Sequence, residues 1–236
     1  MNIALLTASG IGSRMHNNIP KQFICVKDKP IITYTIESFE RHPDIDAIIV
    51  VCLEGWENII NAYVREAGMK KVRWIVKGGA TGQDSICAGL AELEKHCSPN
   101  DLILIHDGNR PLVPQSVITD SIVTCTKYGS AVAYIPCTEV VYVNEGGERP
   151  RSKTTLDRDT LLRTQTPHTF SLQKLLWAYR EAAKRGLPAQ AASCALMSAL
   201  GEYVYFSIGS EINFKITTQA DLEIFRALLA TDERGS

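Results

Sequence analysis

The chain has 236 residues, 45% of them hydrophobic, with 25 basic and 26 acidic side chains and a formal net charge of -1. That length allows one large α/β domain with a real core, and the balanced charge lacks the basic footprint of a general nucleic-acid binder. No apolar run approaches the roughly 20 residues that span a bilayer, so membrane insertion is excluded and any anionic ligand must meet locally gathered positive charge.

Seven cysteines (Cys25, Cys52, Cys87, Cys97, Cys125, Cys137, Cys194) are scattered, odd in number and without a CxxC pair. They read as reduced thiols of a cytoplasmic protein, and neither a disulfide framework nor a zinc site is expected. The run after Met1 and Asn2 has no basic region or long apolar core of a secretory signal, which again predicts a cytoplasmic location.

Short β-branched runs alternate with segments of helical period: NIALLT, PIITYTIESFERH, DAIIVVC, WENIINAYVREAG, VRWIV, QDSICAGLAELEKH, DLILIHD and QSVITDSIVTCTKYG. Strands apolar on both faces suit a mostly parallel sheet covered by helices, so the fold class is α/β, doubly wound. Gly68 and Gly129 stand where left-handed residues end helices. Beyond Pro136, alternating apolar residues flank a Glu-Gly-Gly turn, which predicts a β-arm over about 137–168 projecting from one domain of 1–236. Two helices, SLQKLLWAYREAAKRG and AQAASCALMSALG, then two strands, YVYFSI and NFKIT, and a last helix, QADLEIFRALLA, are expected after it.

The first strand runs into TASGIGSRM, where Gly10 and Gly12 let backbone N–H groups face an anion. A dinucleotide fingerprint requires a third small residue where this chain has Met15, and it requires a helix where HNNIPKQF reads as loop. A Walker loop is absent because no Gly-Lys-Ser/Thr follows. What remains is a loop carrying Arg14 and Lys21, two cations suited to neutralising an α-phosphate during nucleotidyl transfer, or else a solvated loop with idle charges.

Asp107, at the end of the very apolar strand ILIHD, is the candidate ligand for Mg2+, and it could equally cap the following turn. His106, in strand phase beside the core, reads as a structural histidine, since an acceptor phosphate already ionised at pH 7 needs no general base. In KGGATGQDS, Gly78 and Gly79 permit close approach of a flat base, and Ser85 is either a donor to that base or simply a residue of the next helix.

Taken together, TASGIGSRM with PKQF, GGATGQDSI, HDGNRP, LDRDTLLRTQTPHTF and NFKITTQADL resemble the cytidylyltransferases that act on polyol phosphates, in order from about Asn2 to Leu229. The resemblance implies a Rossmann-like nucleotidyltransferase fold and a Mg2+-dependent reaction of CTP with a polyol phosphate that yields a CDP-polyol and pyrophosphate. It implies 2-C-methyl-D-erythritol 4-phosphate, the isoprenoid substrate, as the first acceptor and ribitol 5-phosphate or another wall or capsule polyol phosphate as the alternative. It also implies that Ala8, Ser9, Gly10, Ile11, Gly12 and Ser13 cradle the triphosphate with Arg14 and Lys21 on the α-phosphate. Gly79, Ala80 and Ser85 would read cytosine, and Asp107, Arg110 and Lys215 would serve the metal, substrate and phosphate region. A homodimer with exchanged arms is implied, in which Arg158 and Thr166 enter the neighbour's site.

Departures from the family pattern fall mostly on the acceptor side. Ala191 and Ala192 replace a usual Thr-Asp, His168 a usual Gln and Glu139 a usual Asp, while Ala80 stands where an acid is common. They leave open a reading of another class, a non-catalytic nucleotide-binding homologue.

Overall fold

The computed structural model describes residues 1–10 and 19–232. The chain starts as β1 (Asn2–Ala8), makes a small antiparallel ribbon of β2 (Cys25–Val26) and β3 (Lys29–Pro30), and continues through α1 (Ile31–Glu40), β4 (Ala47–Cys52), α2 (Glu57–Glu66) and β5 (Val72–Lys77). Next come α3 (Gly82–Leu93), β6 (Leu102–Asp107), α4 (Gln115–Tyr128) and β7 (Ser130–Pro136). After an arm held by the antiparallel pair β8 (Val141–Tyr142) and β9 (Thr155–Leu156), the chain forms β10 (Leu162–Ser171), α5 (Leu172–Lys184), α6 (Ser193–Ala199), β11 (Phe206–Ile208) and α7 (Gln219–Asp232).

Seven strands form one sheet in the order β11-β7-β10-β6-β1-β4-β5. β10 is antiparallel to both of its neighbours, and the remaining pairs are parallel. The doubly wound α/β fold expected from the alternating runs is therefore the observed one. Its layering follows from the period of two in a strand. In β1 and β4, Ile3, Leu5, Ala47, Ile49 and Val51 join the core under α3, α5 and α6, while Ala4, Leu6, Ile48, Val50 and Cys52 join the opposite core under α1, α2 and α4. All are fully buried, and each large aliphatic side chain taken from water contributes about 1.5–3 kcal/mol. A smaller core of Val26, Ile31, Ile216, Leu222 and Phe225 fastens α7 to the β2–β3 ribbon.

Local chemistry sets the element ends. Gly129 ends α4 at φ 84 and Gly68 follows α2 at φ 63, both in the left-handed region that favours glycine. Thr81 and Asp84 make a reciprocal capping box at the start of α3, which sets where the loop after β5 must stop.

Four elements differ from expectation. The arm ends near Leu161 rather than at 168, because Leu162–Ser171 is a sheet strand whose residues Gln165, His168, Thr169 and Phe170 are buried between β6 and β7. The stretch NFKIT is not a strand: its alternation is real, with Ile216 in the core, but its backbone bonds to Asn109 and no strand among the described residues pairs with it. The helix read from AQAASCALMSALG begins only at Ser193, since Ala189 to Ala192 line a cleft, and YVYFSI contracts to the three residues of β11, with Tyr203 exposed.

Candidate active site

β1 pairs with β4 on one side and with β6 on the other, so the chain reverses its direction of winding across the sheet at β1. In an open α/β sheet the loops at such a switch point diverge and leave a crevice at the carboxyl ends of the strands. Here it is a cleft of about 600 Å3. The end of β1 and the loop after it supply Ala8, Ser9 and Gly10, the loop after β5 supplies Gly79 and Ala80, α3 supplies Gln83, and β6 supplies Asp107, with Lys21 and Lys215 also on the wall.

The loops are tied together from within. Gln22, buried on the turn Lys21–Phe23, donates its side-chain amide to the Ala8 carbonyl at 2.6 Å, which holds Lys21 against the end of β1. Ser9 Oγ donates to Ser85 Oγ at 2.7 Å, and Ser85 Oγ accepts the Gly79 N–H at 3.1 Å while donating to the Thr81 carbonyl at 2.8 Å. Ser85 is fully buried and its hydroxyl is fully used, so it holds two loops of the cleft wall in register.

Asp107 anchors the other half of the site. Its Oδ2 accepts from Arg110 Nε at 2.9 Å and its Oδ1 from Lys215 Nζ at 2.8 Å, while Arg110 also donates to the Asn213 carbonyl at 2.7 Å. Burial alone would raise the Asp107 pKa, but the charges of Lys215 and Arg110 outweigh it and hold the carboxyl well below the usual carboxylate range. Asp107 is thus ionised throughout the physiological range.

His106 is a structural histidine. It is fully buried, its Nε2 lies 3.2 Å from the Arg110 carbonyl and its Nδ1 3.1 Å from Thr166 Oγ1. A carbonyl can only accept, so Nε2 carries the proton and Nδ1 accepts from the Thr166 hydroxyl, which in turn accepts the Asp107 N–H at 3.1 Å. Burial pushes the imidazole pKa down to about 3, so the ring is neutral at pH 7. His168, also buried, is pushed down to about 4 by the same desolvation.

The expected site residues fall into three groups. Lys21, Ala8, Ser9, Gly10, Gly79, Ala80, Asp107 and Lys215 line one cleft, with Arg110 and Thr166 on an adjoining cavity and Ser85 behind the wall. Arg158 is not brought to the cleft: it lies on the arm, exposed, with Nη1 donating to the Thr138 carbonyl. Ile11, Gly12, Ser13 and Arg14 lie outside the described residues. Thr166, expected to enter a neighbour's site, is bonded here to His106 and Asp107 of its own chain. Sequence reasoning missed Gln22, Gln83, Asn109 and Tyr179, all at the cleft. Gln22 lay within the quoted PKQF, but nothing in the sequence signalled that its amide would turn inward to Ala8.

Mg2+ ordinarily takes one or two carboxylates and completes its shell with phosphate oxygens and water. Asp107 meets that pattern as a single carboxylate, and among the described residues no group of three His, Cys, Asp or Glu is placed to hold a metal by itself. The donor set therefore fits a metal whose ligands come largely from a bound triphosphate.

A family model described as 2-C-methyl-D-erythritol 4-phosphate cytidylyltransferase matches residues 2–231. The chain is 43% identical to a ribitol-5-phosphate cytidylyltransferase of Lacticaseibacillus paracasei, covering 99% of this chain and 100% of that one. It is 37% identical to a 2-C-methyl-D-erythritol 4-phosphate cytidylyltransferase of Clostridium acetobutylicum, covering 97% of each. Among solved structures, a 4-diphosphocytidyl-2C-methyl-D-erythritol synthase from Anaerococcus prevotii superposes with a TM-score of 0.81 at 26% identity, covering 97% of this chain and 95% of that one. A glycine-bearing switch-point cleft lined with cations, on a chain with these relatives, is that of a nucleotidyltransferase. Within that class, the chain belongs to the 2-C-methyl-D-erythritol 4-phosphate cytidylyltransferase family.

Proposed function

We propose that this enzyme transfers the cytidylyl group of CTP to an open-chain polyol phosphate, ribitol 5-phosphate first, and releases pyrophosphate. The observation that carries the acceptor is the 43% identity, over both full lengths, with the L. paracasei ribitol-5-phosphate cytidylyltransferase, against 37% for the C. acetobutylicum 2-C-methyl-D-erythritol 4-phosphate enzyme. This reverses the order of acceptors expected from the sequence. Methylerythritol phosphate is the second reading, favoured by the family model and by Ala191 and Ala192, an apolar wall against which a branch methyl would pack.

The nucleophile is an oxygen of the acceptor's phosphate, largely dianionic at pH 7 because the second pKa of a phosphate ester is about 6. It forms a new P–O bond at the α-phosphorus while the bond to the β-phosphate oxygen breaks, and pyrophosphate leaves with that electron pair. No general base and no covalent enzyme intermediate are required, so the protein's task is to hold two anions together and stabilise their charge. Lys21 and Lys215 are the described cations of the cleft suited to this, with Arg14 assigned to the same task, and Asp107 fixes where Lys215 points. Ala8, Ser9 and Gly10 face the triphosphate, while Gly79 and Ala80 admit the base. Mg2+, held by phosphate oxygens with Asp107 as the protein carboxylate, would neutralise charge on the triphosphate.

A homodimer joined through the arm is part of the same proposal. Val140, Tyr142, Val143, Leu156 and Leu162 on and beside the arm are all at least 40% exposed, an apolar surface suited to a second copy. Arg158 would then reach the partner's cleft rather than its own. The seven free cysteines agree with a reducing cytoplasm. The test is a pyrophosphate-release screen with CTP and Mg2+ against glycerol, erythritol, methylerythritol and ribitol phosphates. Fastest release with ribitol 5-phosphate supports the proposal, and tight CTP binding with no turnover across the panel supports a non-catalytic nucleotide-binding homologue instead.

A further inference from the structure

A second cavity, of about 180 Å3, opens off the cleft behind Asp107 and Lys215. It shares Thr7, Ile86, Ala191 and Ala192 with the cleft and adds a floor from β10. Its polar side chains are mostly spoken for. Arg110 and Lys215 are bound to Asp107, and Thr166 to His106. Gln165 joins Ser210 through both ends of its amide, and Ser193 Oγ lies 2.9 Å from the Tyr179 hydroxyl.

His168 is different. It lies on β10 in this cavity with 4% of its surface exposed, and the Gln165 backbone acts on the ring as a hydrogen-bond acceptor, raising its pKa against the larger lowering by burial. A neutral imidazole that donates one N–H to a carbonyl has a lone pair left on its second nitrogen. That lone pair can accept from an O–H that enters the cavity. The apolar part of the lining, the methyls of Ala191 and Ala192 and the side chains of Ile86 and Ile105, offers the ring no donor.

We propose that His168 is a specificity-determining residue of this enzyme, its free imidazole nitrogen accepting a hydrogen bond from a hydroxyl of the acceptor's carbon chain. The inference rests on the polyol-phosphate reading above and deepens it: the acceptor's phosphate stays beside Lys215 and its carbon chain turns into the smaller cavity. Selection for the hydroxyl then resides on β10, a sheet strand, and a chain lacking that hydroxyl leaves the imidazole unpaired.

The test compares wild type with His168→Ala and the amide variant His168→Gln, which keeps an acceptor at the same depth. Steady-state rates are measured with CTP and ribitol 5-phosphate or methylerythritol phosphate, and with analogues each lacking one hydroxyl. His168→Ala is expected to lower kcat/KM for the acceptor about 10- to 100-fold, the range of one buried hydrogen bond, with KM for CTP within twofold. His168→Gln should recover part of the loss. One deoxy analogue should lose a similar factor with wild type and almost none with His168→Ala. Equal discrimination by both enzymes, or an equal change in the CTP and acceptor constants, would overturn the proposal. Thermal melting and CTP calorimetry establish that each variant folds, and His168→Leu, which fills the site but offers no acceptor, carries the test if His168→Ala does not fold. Should wild type turn over no acceptor, the polyol reading fails. The His168 claim is then decided by calorimetric binding of the same phosphates, and equal affinity of wild type and His168→Ala or His168→Leu for all of them would overturn it.

Discussion

Lys215 Nζ reaches Asp107 Oδ1 at 2.8 Å across 108 residues of chain, joining the end of a central strand to a segment that belongs to no strand. Asp107 is half-buried on the cleft wall, so the ion pair fixes a cation where an anionic substrate would otherwise meet a lone carboxylate. Asp107→Asn should remove the negative charge and replace one of the two acceptor oxygens by an N–H donor, so that Lys215 and Arg110 can no longer both be held. The expected outcome is a fall of about 100-fold in kcat/KM, comparable to losing a preorganised charge contact, and steady-state kinetics with saturating CTP would show it. A variant within threefold of wild type would mean that the pair does not position Lys215 for the reaction.

Ser85→Ala removes the hydroxyl that joins Ser9, Gly79 and Thr81. The orphaned buried groups should cost about 1–3 kcal/mol of folding stability, read by urea unfolding. Because two nucleotide-facing loops lose their common tie, KM for CTP should rise about tenfold while KM for the acceptor changes little.

Gly79 tolerates no side chain, since a Cβ there would collide with the Asp84 side chain and backbone. Gly82, at the start of the same helix, has open space at the corresponding point. Gly79→Ala should therefore disturb the Thr81–Asp84 cap and weaken CTP binding at least tenfold by calorimetry. Gly82→Ala serves as the matched control and should bind CTP within about twofold of wild type.

Two buried histidines predict an acid limb in stability. His106 is held near 3 and His168 near 4 by burial, against an ordinary value of 6.5, so between these values and 6.5 the unfolded chain binds protons that the folded chain does not. Stability from their neutral burial is complete above pH 6.5 and is lost as pH falls, with a slope approaching about 1.4 kcal/mol per pH unit for each ring. Denaturant unfolding from pH 7 to pH 4 should show it, and His106→Gln should have a shallower slope than wild type. An unchanged slope would place the acid sensitivity elsewhere.

Much of the fold was legible because β4 is apolar at every position and β1 and β6 carry unbroken apolar runs, Ile3 to Leu6 and Leu102 to Ile105, a pattern that a sheet covered on both faces produces and few other structures do. Antiparallel β10 was not, since residues 162–171 mix polar and apolar types and their burial depends on β6 and β7 closing over them. Lys215 was identified while its segment was misassigned, because the alternation of Phe214, Lys215 and Ile216 marks one buried face in extended chain with or without a neighbouring strand. Ala189 to Ala192 look helical by composition alone, yet Ala192 gives α6 no side-chain cap and the four residues line the cleft. The roles of Ser85 and Gln22 follow from which way a hydroxyl and an amide turn, which residue type and spacing do not specify.

The central claim is that the acceptor's own phosphate attacks the α-phosphorus of CTP in this cleft. Its most direct test is 31P NMR of the products formed from CTP and ribitol 5-phosphate labelled with 18O in the phosphate group. The account predicts CDP-ribitol with an 18O bridge between its two phosphorus atoms and pyrophosphate free of label. Label in pyrophosphate, or no CDP-ribitol from an enzyme that binds CTP, would contradict it.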